Sequence, residues 1–402
     1  MKADFHVVIA GAGVVGLTLA ALLSRSRQHE HIRLTVVDAA PQPAFTFDQD
    51  FGLRVSAISS GSADILQHAN AWADVIGGRV CAYSEMRAWD SGSAIEGPET
   101  LCFSASRYGV KQLGFIVENQ LIQHALLQSL ASLNQQVDFS TAIRSVNRED
   151  DRFSVTLSDG QVIKADLLVG ADGGASFVRK QAGITVKGWQ YQQSAFVTHL
   201  HSEIHHQNTA WQRFLRSGPV ALLPLADDRV SMVWSTTPEE AAAAMELSDD
   251  DLGEKLTAIT DYVLGELTPA GPRGSFPLQA RHANKYVLSG LALIGDAAHS
   301  VHPLAGQGAN LGLADAACLA EVIADAIESD ETIGDFRVLR RYERARKGAN
   351  RTMLQFIDGI NRLFAYDSSP LAAIRATGMR IFNKSGPIRD HAVRVALGLN
   401  DA

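Results

Sequence analysis

The sequence is poor in several things, and each shortage excludes a class of protein. Its 402 residues include three cysteines, Cys81, Cys102 and Cys318, an odd and scattered set with no C-x-x-C pair. Such a set supports neither a disulfide framework nor a cysteine-rich metal site, and it suits a reducing compartment. No apolar run approaches the length needed to cross a bilayer as a helix. Positive charge is also scarce, with 36 Lys and Arg against 44 Asp and Glu and a net charge of −8. That balance argues against a general nucleic-acid binder, whose footprint is basic. The N-terminus does not read as a secretory leader, because Asp4 follows Lys2 closely and the apolar run after it has only strand length. The expectation is a cytoplasmic protein, with a peripheral contact at the inner face of a membrane left open.

What remains is ordinary globular material. The chain is 46% apolar and 20% charged, and long enough for two domains. It opens as strand, tight turn, helix, strand: an apolar run from Phe5 to Ala10, glycines from Gly11 to Gly16, helical composition from Val14 to Leu23, and a second apolar run ending at Asp38. An amphipathic helix is expected over residues 118–133, and a hairpin at Asp159 and Gly160, whose flanks alternate apolar and polar. From about Trp189 to Leu278 the texture changes to strand-like pieces, then an acidic helical piece over residues 238–264, then a return punctuated by Pro269, Pro272 and Pro277. A buried strand near residues 291–294 and a helix over residues 309–326 follow, and the rest is helical and basic.

Three motifs carry the chemistry. The first, Gly11-Ala12-Gly13-Val14-Val15-Gly16, joins the opening strand to the opening helix, with Asp38 ending the next strand. Glycines there permit a tight turn, close approach of a pyrophosphate and close helix–strand packing. A helix N-terminus faces the phosphates with free N–H groups, and the carboxylate sits at the right distance for a ribose hydroxyl. The second runs Gly295-Asp296-Ala297-Ala298-His299 and on through Pro303, Gly306, Gln307 and Gly308 to Asn310. It delivers an acid at a strand's C-terminal end, where ligands of open α/β sheets gather, and then opens a helix. The third is Asp172-Gly173-Gly174-Ala175-Ser176-Phe177-Val178-Arg179, a turn after an apolar strand.

In this order the motifs resemble the single-component FAD-dependent aromatic hydroxylases, with a fold like that of para-hydroxybenzoate hydroxylase. The resemblance covers nearly the whole chain. Within that family the sequence is most similar to the ubiquinone-biosynthesis hydroxylases, through Arg54-Val55-Ser56-Ala57-Ile58, Val117-Glu118-Asn119-Gln120, the stretch from His299 to Gly312, Arg340-Arg341-Tyr342-Glu343-Arg344 and the ending Ala396-Leu397-Gly398-Leu399-Asn400. The family more often has Glu where this chain has Asp38, and the shorter acid still reaches a ribose.

The resemblance implies an α/β fold: a Rossmann-like FAD-binding domain from residues 1–75, 110–188 and 279–345, an inserted α+β substrate domain from 76–109 and 189–278, and a helical C-terminal segment from 346–402. It implies FAD, reduced by NADPH or NADH directly or through a partner, and O2. A flavin C4a-hydroperoxide would then oxygenate a phenol ring, with a polyprenylated intermediate of ubiquinone biosynthesis as the leading substrate. Most of the hard chemistry belongs to the cofactor, which accounts for the lack of a catalytic triad. Gly11, Gly13, Gly16 and Asp38 are expected on the ADP half, Arg54 and Gln120 near the phosphates or ribityl chain, and Asp296 on the ribityl or pyrophosphate region. Pro303, Gly306, Gln307 and Gly308 are expected near the flavin ring, with Asp172 and Arg179 assisting the nucleotide.

His299 and His302 are weak acid–base candidates, and loop ordering is the favoured reading of both. No metal site is expected. Leu222, Leu223, Pro224, Met232 and Trp234 are candidates for a substrate wall, against a plain sheet core. Met353, Phe356, Ile357, Ile360, Leu363 and Phe364 recur at helical spacing, followed by Arg375, Arg380, Lys384, Arg389 and Arg394. That segment fits either a membrane surface or a helix packed on the fold. The rival functions are a soluble hydroxylase of small aromatic acids, recognisable by a cationic pocket, and a non-catalytic flavoprotein scaffold of a biosynthetic complex.

Overall fold

A computed structural model describes residues 4–149, 152–302, 306–365, 369–386, 389–390 and 394. The opening strand Phe5–Ala10 pairs in parallel with Ile32–Val37 on one side and Leu167–Gly170 on the other. Leu291–Leu293 joins Leu167–Gly170 in parallel, and Val287–Leu288 closes the edge antiparallel, giving five strands. Val7, Val8 and Ile9 are fully buried, as a continuous apolar strand covered on both faces should be. The helices Val14–Arg25 and Gln307–Glu328 pack together so closely that a Cβ on Gly312 would lie 2.5 Å from Val15 Cγ2. The sheet brings the first and second motifs to one end, because Ala10 and Leu293 close neighbouring parallel strands on either side of Gly170.

A second sheet has nine strands. Its long member, Val186–Ser202, pairs antiparallel with Val230–Thr236 and with Gly274–Ala283. Pro219–Pro224, Thr209–Phe214, Glu85–Asp90 and Leu101–Ser104 extend it in that order. Residues 81–83 instead pair with Gly114–Glu118, which also pairs with Val55–Ser59. The hairpin at Asp159 and Gly160 forms, with Gly160 at φ +91° and Leu157 receiving the chain back from Gln161.

The acidic helical piece consists of two helices, Pro238–Glu246 and Asp249–Ile259. Ser248 breaks it by accepting the Asp251 N–H at 3.2 Å, an N-cap that starts a second helix. The helix Phe336–Ala365 runs thirty residues without a break at 345/346, so the C-terminal segment grows out of the first domain's last helix.

The stripe on that helix is mostly packed. Ile357 and Phe364 are buried with Ala88, Phe214 and Met379, and the Phe214 and Phe364 rings stack 4.0 Å apart. Met353 and Ile360 flank them, while Phe356 is 58% exposed. Two of the basic residues after it, Arg375 and Arg389, turn inward, while Arg380 makes its ion pair at the surface. Arg375 is buried against Asp90 at 3.0 Å, Arg380 Nε pairs with Glu99 at 2.8 Å, and Arg389 donates to the Cys102 carbonyl. Arg394 is exposed, and the Lys384 side chain lies outside the described residues, as does the ending 396–400. Among the described residues no helix is long and apolar enough to cross a membrane.

Candidate active site

A cavity of about 900 Å³ lies between the C-terminal ends of the parallel strands and one face of the nine-stranded sheet. Gly13, Val14 and Val15 line one end of it, with Arg54, Gln120, Asp296, Gly306 and Gly308.

The three glycines of the first motif differ in what demands them. Gly11 has φ +107°, and a Cβ there would lie 2.4 Å from the Ala171 carbonyl oxygen. A Cβ on Gly16 would lie 2.0 Å from the Gly11 carbonyl oxygen. The chain's own packing therefore requires both. A Cβ on Gly13 would meet no protein atom within 4 Å. Gly13 is the N-cap of its helix and no side chain caps that end. Unclaimed amides beside open space are a fit for a pyrophosphate. Asp38 accepts N–H bonds from Ala12 at 2.7 Å and Ala40 at 2.8 Å. It shapes the loop and does not itself line the cavity, although each carboxylate oxygen keeps a lone pair for a ribose hydroxyl.

Asp296 reaches the cavity from the strand end. Its carboxyl is hemmed in by protein while open to the cavity, and this burial raises its pKa, with His299, Arg54 and Arg281 pulling the other way. Gln120 lines the cavity and accepts from Gln49 at 3.4 Å. At the start of the helix Gln307–Glu328, Gly306 has φ +62° and no side-chain cap among the described residues. Asn310 bolts that start to a neighbouring strand, accepting from the Ser59 N–H at 3.0 Å and donating to the Ala57 carbonyl at 2.8 Å. Gly306 and Gly308 line the cavity, Gln307 does not, and Pro303 lies outside the described residues.

The third motif is a capped turn. Asp172 accepts from Phe177 at 2.6 Å and Val178 at 3.1 Å, and Ser176 caps the Arg179 N–H. Arg179 is 4% exposed and donates to the carbonyls of Ala297 and Gly174, both at 2.8 Å. The expectation that Arg179 assists the nucleotide is corrected: its guanidinium points into the fold and ties the turn to the segment that carries Asp296. Asp172 gives one carboxylate oxygen, Oδ2, to the turn and does not itself line the cavity, while its neighbours Ala171 and Gly173 do.

Neither histidine candidate lines the cavity. His299 Nε2 lies 2.5 Å from Asp315 Oδ2, beneath the loop. Asp315 also receives Gly295 N–H at 3.1 Å, Arg346 Nε at 2.8 Å and Asn350 Nδ2 at 3.0 Å. Burial alone would raise the Asp315 pKa, but His299 and Arg346 hold it below the usual carboxylate value. His302 is fully buried with its ring edge-on to Tyr191, and burial pushes its pKa down to about 4. Through Asp315, His299 ties the loop to the helix Gln307–Glu328. His205, His206 and Asp228 gather closely enough to suggest a metal, but backbone N–H groups of Gln207 and Asn208 donate to the two Nδ1 atoms. Each Nε2 then carries the proton and donates, to Asp228 and to the Leu225 carbonyl, so neither has a lone pair for an ion.

The proposed substrate wall needs the largest correction. Met232, Trp234 and Leu222 are buried on the far side of the sheet, packed with Phe196, Leu252 and Leu256. Side chains alternate along a strand, so the cavity takes Ser231, Val233 and Ser235 from one strand and Pro219, Ala221 and Leu223 from its neighbour. Leu223 alone of the five candidates lines the cavity, and Pro224 does not. Gly52, Gln123 and Gln212 line it without having been singled out. Gln123 stood three residues after Gln120 on the same helix face, which was a readable signal.

Comparison with known proteins agrees with this geometry. The model of the FAD binding domain family matches residues 4–357. The chain is 35% identical to the 3-demethoxyubiquinol 3-hydroxylase of Escherichia coli, over 98% of each chain. It is 34% identical to the mitochondrial ubiquinone biosynthesis monooxygenase COQ6 of Homo sapiens, covering 98% of this chain and 92% of that one. In fold it is similar to Klebsiella pneumoniae HpxO, solved with FAD and uric acid, with TM-score 0.76 at 18% identity, covering 99% of this chain and 97% of that one. The uncapped helix starts, the open space at Gly13 and the acid at the strand end fit FAD as the cofactor of a monooxygenase. The chain belongs to the FAD binding domain family, among the flavin-dependent aromatic hydroxylases that include the ubiquinone-biosynthesis monooxygenases.

Proposed function

We propose that this protein hydroxylates the ring of a neutral, polyprenylated phenol on the route to ubiquinone. One observation carries the reading: Arg54 is the only cationic side chain lining the cavity among the described residues, and it interacts with Asp296 at the cofactor end. A small aromatic acid would have to bury its carboxylate against Ala, Val, Leu, Ser and Gln with no counter-charge, which is strongly unfavourable. A neutral ring meets no such penalty. Phe276 lines the cavity and is 44% exposed, so an apolar edge reaches solvent where a long tail would leave.

Bound FAD supplies the oxygen activation, with O2 and NADPH or NADH as co-substrates. The chain's own residues do the rest. Amides at Gly13 to Val15 and near Gly308 hold the phosphates and the ring edge, Asp296 accepts from the sugar-alcohol chain, and Gly11 and Gly16 keep the turn tight. The nine-stranded sheet supplies a wall that orients the ring and keeps water out. We assign the C-terminal helices to holding that sheet, because Arg375 and Arg389 are buried against its strands at Asp90 and Cys102.

The test follows NADPH and NADH oxidation by the purified protein with a prenylated phenol and with hydroxybenzoates, and weighs the product. Phenol-stimulated oxidation and a product heavier by one oxygen are expected. Turnover confined to hydroxybenzoates would overturn the substrate class, and bound flavin without turnover on any ring would favour the scaffold role.

A further inference from the structure

The sheet face over the cavity is built of short side chains. Across three strand pairings Gln212 stands opposite Ala221, Ala221 opposite Val233, and Val233 opposite Val197. Gln212 is the long side chain in that row. Its strand, Thr209–Phe214, is flanked by Pro219–Pro224 on one side and Glu85–Asp90 on the other, so its position is fixed from both sides. The residue is 4% exposed and lines the cavity. Among the described residues its carboxamide has no hydrogen-bonded partner, yet neither amide atom is sealed from the cavity.

A carboxamide that keeps its donors and acceptor open to the cavity, in a row otherwise built of Ala and Val, is placed to bond what the cavity holds. We infer that Gln212 is the residue that orients the substrate ring, by hydrogen bonding an oxygen substituent on it, a phenolic hydroxyl or an ether oxygen. The chemistry matches: a carboxamide donates to an ether oxygen and accepts from a hydroxyl, and it carries no charge that a neutral ring would leave uncompensated. Its place on a rigid central strand lets one such bond select which ring carbon faces the cofactor. The inference rests on the neutral-phenol reading above and adds the contact that gives it specificity.

The experiment compares the FAD-loaded wild type with Gln212→Met and Gln212→Leu. Two neutral rings are titrated without reductant, one bearing a hydroxyl and one with hydrogen in its place, and binding is read from the change in flavin absorbance. The wild type should prefer the hydroxylated ring by about tenfold or more, since a site built to bond a hydroxyl rejects the analogue that lacks it. Both variants should lose most of that preference, with unchanged FAD affinity and a melting temperature equal to or above that of the wild type. A preference that survives in either folded variant overturns the assignment. So does loss of flavin or of the fold in both, which would make the amide structural. A wild type that takes benzoates and neither neutral ring would instead overturn the reading of substrate class.

Discussion

Gly13→Ala and Gly16→Ala should separate the cofactor's demands from the fold's. At Gly16 the added carbon would sit 2.0 Å from a carbonyl oxygen, over 1 Å inside ordinary contact, and the two nearest atoms are backbone. Helix and turn must move apart, at a cost of about 3 kcal/mol or more. For 402 residues the unfolding entropy near the midpoint is about 0.8 kcal/mol/K, so the apoprotein midpoint should fall by about 4 °C. At Gly13 the added carbon meets open space, and φ −72° with ψ 177° suits alanine. The apoprotein should change by about 1 kcal/mol or less, the scale of an N-cap substitution. Bound FAD should suffer, because a methyl where the pyrophosphate approaches displaces one or two charge-assisted hydrogen bonds. That loss is about 2–4 kcal/mol, roughly thirty- to a thousandfold in affinity. Flavin fluorescence titration gives the affinity, and scanning calorimetry of the stripped protein gives the midpoint. A Gly13→Ala protein that binds FAD within threefold of wild type would refute the placement of the pyrophosphate.

Two further outcomes follow from burial. Trp234→Ala should destabilise the protein by about 3–5 kcal/mol in denaturant melts while leaving substrate KM nearly unchanged, whereas Val233→Ala, facing the cavity, should shift KM more than stability. His302 takes a proton near pH 4 when folded and near pH 6.5 when unfolded, so the unfolded chain binds more protons between those values. Stability should therefore fall as pH drops from 6.5 to 4, by about 3 kcal/mol from this side chain, and His302→Gln should lose that share of the slope in urea melts. His6, His199, His206 and His282, also lowered by burial, leave a remainder of the same sign.

Much of the cofactor end was legible because its constraints are local. A glycine that must adopt φ +107°, a helix that must start uncapped and an acid that must end a strand all leave marks within a few residues. The opening strand and the helix beginning at Val14 stand where their residue types put them. The substrate end was not legible in the same way. Both faces of Pro219–Pro224 and Val230–Thr236 are covered, one by helices and one by the cavity. Without a polar face, alternation does not say which set points where. Size held the one clue, since Met232 and Trp234 are bulky and Ser231 and Ser235 are small, and the cavity lies over the side of the two serines.

By itself, then, the sequence determined the α/β class, the dinucleotide turn and the family, because each depends on neighbours along the chain. The tertiary structure alone decided that Arg179 and His299 serve the fold, that Arg375 turns inward to Asp90, and that Gln212 stands over the cavity with no partner among the described residues. Those roles depend on partners far away in sequence. Whether a polar side chain becomes a strut or a ligand contact is settled by what packing brings within hydrogen-bond reach.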